Sequence, residues 1–127
     1  MIENGFDQQI TFIYVKDLSL SKFFYEEILG FQLVLDQGSC RIVKTSGDAY
    51  LGYCSGRKSL RVGDSVLITL VTTQVDEWYQ YLRDQDISLL DPPQLNPEYG
   101  IYHFFFTDPD GYKIEIQRFQ DENWNSE

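Results

Sequence analysis

One stretch near the C-terminal end of the sequence, residues 102–117, predicts two β-strands joined by a tight turn. The turn, residues 108–111, reads Asp-Pro-Asp-Gly, which is the composition of a type I turn followed by a glycine with positive φ. Such a turn makes a three-residue hairpin loop with a bulge and thereby sets the register of both strands. Asp108 is then expected opposite Tyr112.

This register sorts the side chains of the hairpin onto two faces, because successive residues of a strand point to opposite sides of a sheet. One face is wholly apolar and is expected to pack on a helix: Phe104, Phe106, Ile114 and Ile116. The other face is mixed: His103, Phe105, Lys113, Glu115 and Gln117. His103, the only histidine of the chain, and Glu115 are diagonal neighbours within reach of each other. The hairpin alone leaves open whether the mixed face meets solvent or a cavity.

The first half of the sequence predicts the order strand, helix and three strands. Residues 10–15 are rich in β-branched and aromatic side chains, which predicts a strand. Asp17 or Ser19 is available to cap a helix that ends at Gly30 and has a helical apolar stripe of Leu20, Phe23, Phe24 and Ile28. Three further strands are expected at residues 31–35, 41–45 and 49–54.

The second half repeats this order. Residues 66–71 predict a strand, and residues 73–76 resemble a capping box. The helix that follows has an apolar stripe of Val75, Trp78, Tyr79 and Leu82. Residues 87–90 predict a strand, residues 91–99 a bent loop rich in proline, and the hairpin closes the fold.

The repeat predicts an α+β fold of two βαβββ modules, because neither half can bury its apolar face alone. Residues 1–127 are expected to form a single domain. Module one covers about residues 9–55, a linker covers 56–65, module two covers about 66–119, and a polar tail covers 120–127. Trp124 is unusual in so polar a tail, which indicates that it docks on the domain or on a neighbour.

Composition and charge exclude several classes of partner. The net charge of −10 at pH 7 argues against nucleic acid, whose phosphates need a basic surface, and against anionic membranes. No apolar run approaches the roughly 20 residues of a membrane span, and the N-terminus lacks the pattern of a signal peptide. We therefore expect a cytoplasmic protein with no nucleic-acid or membrane partner.

The two cysteines are expected to meet across a second hairpin. If the glycine turn at residues 46–48 also has three residues, Cys40 lies opposite Cys54. Because disulfides are rare in the cytoplasm, reduced thiols are the expectation.

The order of elements and two groups of motifs resemble the vicinal oxygen chelate superfamily, which includes glyoxalase I, bleomycin-resistance proteins and extradiol dioxygenases. The resemblance covers residues 9–118 and rests on Val15-Lys-Asp-Leu18, Phe24-Tyr25, Leu29-Gly30-Phe31 and Asp108-Pro-Asp-Gly-Tyr-Lys-Ile-Glu115. It implies that each sheet curls around a cavity, that the mixed face lines this cavity, and that the protein forms a homodimer.

The enzymes of this superfamily hold a divalent metal at four strand positions with His, Gln or Glu. Carried over to this sequence, these positions are Ile10, Gly52 (within residues 51–53), Leu67 and Glu115. Only Glu115 is a ligand type, and zinc, manganese or iron sites need three or four nitrogen or oxygen ligands. His103 offers a second ligand but is not at a family position. The resemblance therefore implies a metal-free binding member without a cofactor, with a divalent metal as the alternative.

We predict a small-molecule-binding protein with an aromatic-lined cavity that holds an aromatic or cationic ligand. The predicted ligand-binding residues are Phe12, Tyr14, His103, Phe105, Glu115 and Gln117. The alternative is an enzyme of lyase, isomerase or dioxygenase type in which His103 and Glu115 are catalytic, with or without a divalent metal. A third possibility is an interaction module whose cavity is filled by side chains.

Overall fold

A computed structural model describes residues 6, 8–57, 62, 66–89, 91–120, 122 and 124 of the chain. The chain divides into two compact units, Met1–Arg61 and Val62–Glu127. Each unit contains one four-stranded mixed sheet and the order strand, helix and three strands, which confirms the predicted α+β fold of two βαβββ modules. The predicted linker at 56–65 and the predicted tail at 120–127 lie largely outside the described residues. No described helix is long and apolar enough to cross a membrane.

The first unit has its strands in the order β1-β4-β3-β2. Its elements are β1 (Gln9–Tyr14), α1 (Leu18–Lys22), β2 (Gln32–Asp36), β3 (Cys40–Ser46) and β4 (Ala49–Cys54). Strand β1 runs parallel to β4, and the other pairs are antiparallel. Asp17 caps α1 as expected, since its carboxylate accepts hydrogen bonds from the backbone N–H groups of Ser19 at 2.9 Å and Leu20 at 3.3 Å.

A π-helical segment, Phe23–Ile28, follows α1 directly. The N–H of Leu29 donates to the carbonyl of Phe24, five residues earlier, at 3.0 Å. Because a π-helix has a wider turn, it changes which side chains face inward. Three residues of the segment are buried: Phe24, Tyr25 and Ile28. Leu20 and Phe23 are 56% and 58% exposed, so the first half of the predicted helical stripe is wrong.

A buried ion pair connects the π-helical segment to the sheet. The guanidinium of Arg41 on β3 donates to both carboxylate oxygens of Glu26, at 2.7 and 2.9 Å, and to Asp36 at 3.0 Å. The hydroxyl of Tyr53 donates to Glu26 as well. The hydrogen bond from Arg41 lowers the pKa of Glu26, while burial and the neighbouring Glu26 raise the pKa of Tyr53.

The second unit has the strand order β5-β8-β7-β6. Its elements are β5 (Leu67–Val71), α2 (Val75–Asp84), β6 (Gln94–Asn96), β7 (Ile101–Thr107) and β8 (Lys113–Phe119). The predicted apolar face is confirmed as core, with at most 2% of each residue exposed: Phe104, Phe106, Ile114 and Ile116. Helix α2 covers it, and the ring of Tyr79 packs edge-on against Phe104 at 5.3 Å.

The predicted strand at residues 87–90 is wrong. Leu89 makes only an isolated bridge with Phe106, and residue 90 lies outside the described residues. The edge strand is instead β6, inside the segment expected to be a bent loop, where Gln94 pairs with His103. Prolines precede and follow β6. Proline has no backbone N–H to donate, and it is tolerated beside a short strand at the sheet edge because one side of such a strand has no neighbouring strand to bond.

The expected capping box of the second helix does not form. Gln74 precedes α2 and makes no side-chain capping bond. The hydroxyl of Thr72 accepts a hydrogen bond from the N–H of Gln74 at 3.0 Å and so orders the approach to the helix.

The register of the closing hairpin is confirmed. The N–H of Asp108 donates to the carbonyl of Tyr112 at 3.0 Å, and the carboxylate of Asp108 accepts from the N–H groups of Asp110 and Tyr112 at 2.9 and 2.8 Å. Gly111 has a φ of 93°, which closes the three-residue loop. Phe105 consequently pairs with Glu115 as expected.

The predicted pairing of Cys40 with Cys54 is confirmed, but the expectation of reduced thiols is wrong. The two residues are directly opposite on β3 and β4, with 4.1 Å between their α-carbons, and a disulfide joins them. The expectation rested on the cellular compartment, whereas the hairpin register brings both sulfur atoms within bonding reach.

Candidate functional site

The mixed face of the second unit brings together polar side chains from four strands. Residues paired across neighbouring strands share a face, so the register places on this side a row of residues that includes Thr69, Gln94, His103, Phe105, Lys113, Glu115 and Gln117. Four of the six predicted ligand-binding residues are in this row. The other two, Phe12 and Tyr14, lie on β1 of the first unit and share a face of that sheet.

His103 and Glu115 form the central contact of this face. Nδ1 of His103 lies 2.6 Å from Oε2 of Glu115, and their side chains are 14% and 7% exposed. As a carboxylate, Glu115 accepts a hydrogen bond, so Nδ1 carries a proton, and whenever the ring is neutral the lone pair is on Nε2. Nε2 has no hydrogen-bond partner within the described part of the chain. The contact with Glu115 thus fixes the orientation of the imidazole through its Nδ1 atom.

Both carboxylate oxygens of Glu115 accept hydrogen bonds from neighbouring side chains. The hydroxyl of Thr69 on β5 donates to Oε1 at 2.9 Å, opposite the oxygen that contacts His103. Gln117, with its amide nitrogen turned toward the carboxylate, donates to Oε2 at 3.1 Å. A buried carboxylate needs such partners, because an unpaired one is costly to remove from water. Glu115 is therefore hydrogen-bonded to three neighbouring side chains of this face.

Thr69 was missed in the sequence. A threonine in a strand normally indicates only β-propensity. The parallel pairing of β5 with β8 puts Thr69 opposite Glu115, and this pairing follows once the βαβββ order is accepted.

Phe105 is the aromatic centre of this face. The His103 ring packs edge-on against it with 5.0 Å between ring centroids. The ammonium of Lys113 lies 4.5 Å from the centroid of the same ring, a cation–π distance. Phe105 thus has a basic group on either side of it along the face.

An aromatic pair lies at the end of this face beyond Gln117. Phe119 pairs with Ile101 and points to the same side as Gln117, two residues earlier on β8. The indole of Trp124 stacks on Phe119 with 4.2 Å between centroids and 25° between planes. Trp124 therefore docks on its own unit, which was one of the two alternatives predicted from the sequence. Its side chain remains 48% exposed.

In the first unit, Phe12 packs over Gly52. A β-carbon at position 52 would clash with Cδ1 and Cε1 of the Phe12 ring, which is 44% exposed. The guanidinium of Arg57 lies 3.7 Å from the centroid of the Tyr14 ring. With Tyr50, which pairs with Ile10, this face contains three aromatic residues, and a cation covers the ring of Tyr14.

The described residues at the expected metal positions supply fewer ligands than a divalent metal needs. The expected family positions hold Ile10, Gly52 and Leu67, which have no donor atoms in their side chains. Both oxygens of the fourth, Glu115, accept protein hydrogen bonds. Among the described residues, no group of three or more His, Cys, Asp or Glu side chains is arranged to hold a metal ion.

A separate depression of about 290 Å³ lies on the outer side of α2, lined by Gln74, Glu77, Trp78 and Tyr81. Helix α2 packs on the apolar face of its sheet, as the contact of Tyr79 with Phe104 shows. The depression is therefore on the opposite side of the sheet from His103 and does not belong to the site.

Comparison with known proteins establishes the family. Residues 8–116 match the sequence model of the Glyoxalase/Bleomycin resistance protein/Dioxygenase superfamily. The chain belongs to this superfamily. The match extends from β1, which bears Phe12, into β8, which bears Glu115, so it spans elements of both modules.

Relatives within the glyoxalase superfamily differ in what their names describe. Metallothiol transferase FosB of Staphylococcus epidermidis is 30% identical over 109 residues, which cover 80% of this chain and 74% of that protein. Lactoylglutathione lyase of Agrobacterium tumefaciens has a similar structure, with a TM-score of 0.75, 20% identity, and coverage of 96% of this chain and 100% of that one. A glyoxalase/bleomycin resistance protein/dioxygenase of Nocardioides gives a TM-score of 0.78 at 17% identity, covering 100% and 91%. The two structural likenesses show a shared fold.

Proposed function

We propose that this superfamily member binds a small aromatic molecule on the mixed face without using a divalent metal. One observation carries the proposal. Glu115 is the only residue of a metal-ligand type at the four expected metal positions, and its two carboxylate oxygens accept hydrogen bonds from Thr69 and His103. What this face offers a ligand is Nε2 of His103 and the rings of Phe105 and Trp124. A few polar groups in an aromatic setting are typical of small-molecule sites.

The metal part of this proposal departs from what the name of the FosB relative says of that protein. The metal part is tested by calorimetric titration of the chelator-treated protein with Zn²⁺, Mn²⁺ or Ni²⁺. We expect no stoichiometric binding that depends on Glu115, so wild type and Glu115→Gln should give the same titration. Binding of one metal per chain that Glu115→Gln abolishes would refute it.

The ligand part is tested with phenylnaphthylamine, an uncharged aromatic probe whose fluorescence rises in apolar sites. We expect saturable binding of one probe per chain, weakened by Phe105→Ala and by His103→Gln. Tyr81→Ala is the matched control, because it removes a partly exposed ring on the other side of the sheet. Equal loss in the control, with the fold intact by circular dichroism, would count against the site.

A second function is favoured by the 2.6 Å contact of His103 with Glu115. A carboxylate behind an imidazole is a common arrangement for general-base catalysis, and Nε2 would then take a proton from a carbon or oxygen acid without a metal. Exchange of carbon-bound protons of a bound carbonyl compound with D₂O, followed by NMR, would reveal this activity. The exchange should disappear in His103→Gln.

Three other predictions remain part of the proposal. The family resemblance implies that the sheets curl around a cavity and that the protein forms a homodimer. The cytoplasmic location was predicted from the sequence alone.

A further inference from the structure

The mixed face of the second unit has a charge balance unlike that of the chain. The whole chain has 20 acidic and 10 basic residues. Among the described strand residues on this face, Glu115 is the only acid, and Lys113 and His103 are on the same side. The acidic excess therefore lies elsewhere on the protein.

The corresponding face of the first unit shows the same bias. Its described strand residues include Lys44, paired with Tyr50, and no carboxylate. Arg57 adds a second cation over Tyr14. The acidic residues Glu26 and Asp36 contact Arg41, which belongs to the opposite, helix-facing side of this sheet.

The single carboxylate of the second unit's face does not neutralise Lys113. Glu115 is buried, and its oxygens accept from Thr69 and His103. Lys113 makes no ion pair with any described residue, and its ammonium lies over Phe105. A cation held over an aromatic ring, without a counter-charge, is placed to meet an anionic group on a ligand that contacts the same ring.

We propose that the ligand of this site is an aromatic oxyanion, a planar ring system bearing a carboxylate, sulfonate or phosphate group, with Lys113 as its counter-charge. This inference rests on the proposed function and names its ligand class. It points away from the cationic ligand that the sequence allowed, because Lys113 would repel a cation bound over Phe105, and Glu115 is buried and already accepts hydrogen bonds.

The test compares two probes that share one aromatic frame. Anilinonaphthalenesulfonate has a sulfonate, and phenylnaphthylamine lacks it. We expect the sulfonate probe to bind about tenfold more tightly, the usual effect of one charge-assisted hydrogen bond. Lys113→Gln should remove most of this difference while leaving the affinity for the neutral probe unchanged. Arg83→Gln is the charge-matched control, since Arg83 lies in the last turn of α2 behind the sheet.

The outcomes separate this inference from the proposed function. Equal affinity for the two probes, with both weakened by Phe105→Ala, would overturn the oxyanion inference and leave the aromatic site standing. A preference for the sulfonate that survives Lys113→Gln would also overturn it. Failure of both probes to bind would overturn the aromatic site itself.

Discussion

The ring of Phe12 occupies the space that a side chain at position 52 would need. Gly52 is the position at which the family resemblance implies a metal ligand. The obstacle to a ligand there is therefore twofold, because the residue has no side chain and its neighbour fills the place of one. Restoring a metal donor at this position requires at least two substitutions.

The contact between Phe12 and Gly52 predicts a non-additive pair of mutations. Gly52→Ala is expected to lower the free energy of unfolding by about 1–3 kcal/mol, because the new methyl group must displace the ring. In a Phe12→Ala background the same change should cost about 0.5 kcal/mol or less. Urea unfolding of the four proteins measures the coupling. Costs that simply add would show that the ring moves aside freely.

The ion pair of Glu26 with Arg41 predicts a pH-dependent contribution to stability. Glu26→Gln is expected to cost about 1–3 kcal/mol at pH 7, because it weakens bonds to a buried guanidinium. Glu27→Gln, an exposed neighbour, is the control and should change stability by about 0.5 kcal/mol or less.

The sign of the pH effect follows from the lowered pKa of Glu26. A carboxyl whose pKa is lower when folded contributes its stability above its ordinary value of 4.5 and loses it as the pH falls through the folded pKa. The difference between wild type and Glu26→Gln should therefore shrink below about pH 4.5. A difference that stays constant from neutral pH to pH 3 would contradict the role of the ionised carboxylate.

The contact of His103 with Glu115 predicts the tautomer of the imidazole. Since His103 is the only histidine, its ring nitrogens can be assigned without ambiguity by long-range ¹H–¹⁵N correlation NMR. We expect the neutral ring to carry its proton on Nδ1. Thr69→Val should preserve this tautomer, whereas Glu115→Ala should shift the proton toward Nε2. A proton on Nε2 in the wild type would rule out the orientation described above.

The disulfide predicts a dependence of stability on redox conditions. Cys40 and Cys54 are 14 residues apart, and closing a loop of this length stabilises a fold by about 3 kcal/mol in the chain-entropy account. Reductant should therefore lower the urea midpoint of the wild type. A Cys40→Ser/Cys54→Ser double variant should show no response. Free-thiol titration of the denatured, unreduced protein should find none, and two thiols per chain would contradict the bond.

Much of the second unit was predictable from its turn. Asp108 and Gly111 leave one low-energy loop, and the pairing of Phe105 with Glu115 follows from it. The apolar and mixed faces were predictable for the same reason, because alternation in a strand is strict. Even the contact between His103 and Glu115 required no more than the register.

Features that depend on distant packing were not predictable. Residues 87–89 have the composition of a strand, yet the sheet edge is taken by Gln94–Asn96, and composition does not decide which of two segments wins the pairing. The ion pair of Arg41 with Glu26 could not be predicted from the sequence of β3, because it depends on how the helix packs on that strand. Thr69 gained its role only through the parallel pairing of β5 with β8.

The π-helical segment Phe23–Ile28 links the number of residues in the first helix to the ion pair that Arg41 of β3 makes with Glu26. Deleting one residue there would restore an α-helical ladder and rotate the following side chains by about 100°. Glu26 would then turn away from Arg41 and leave the buried guanidinium with the exposed Asp36 as its remaining carboxylate partner. Across the superfamily, insertions and deletions in this helix and the presence of that arginine are therefore expected to be inherited together.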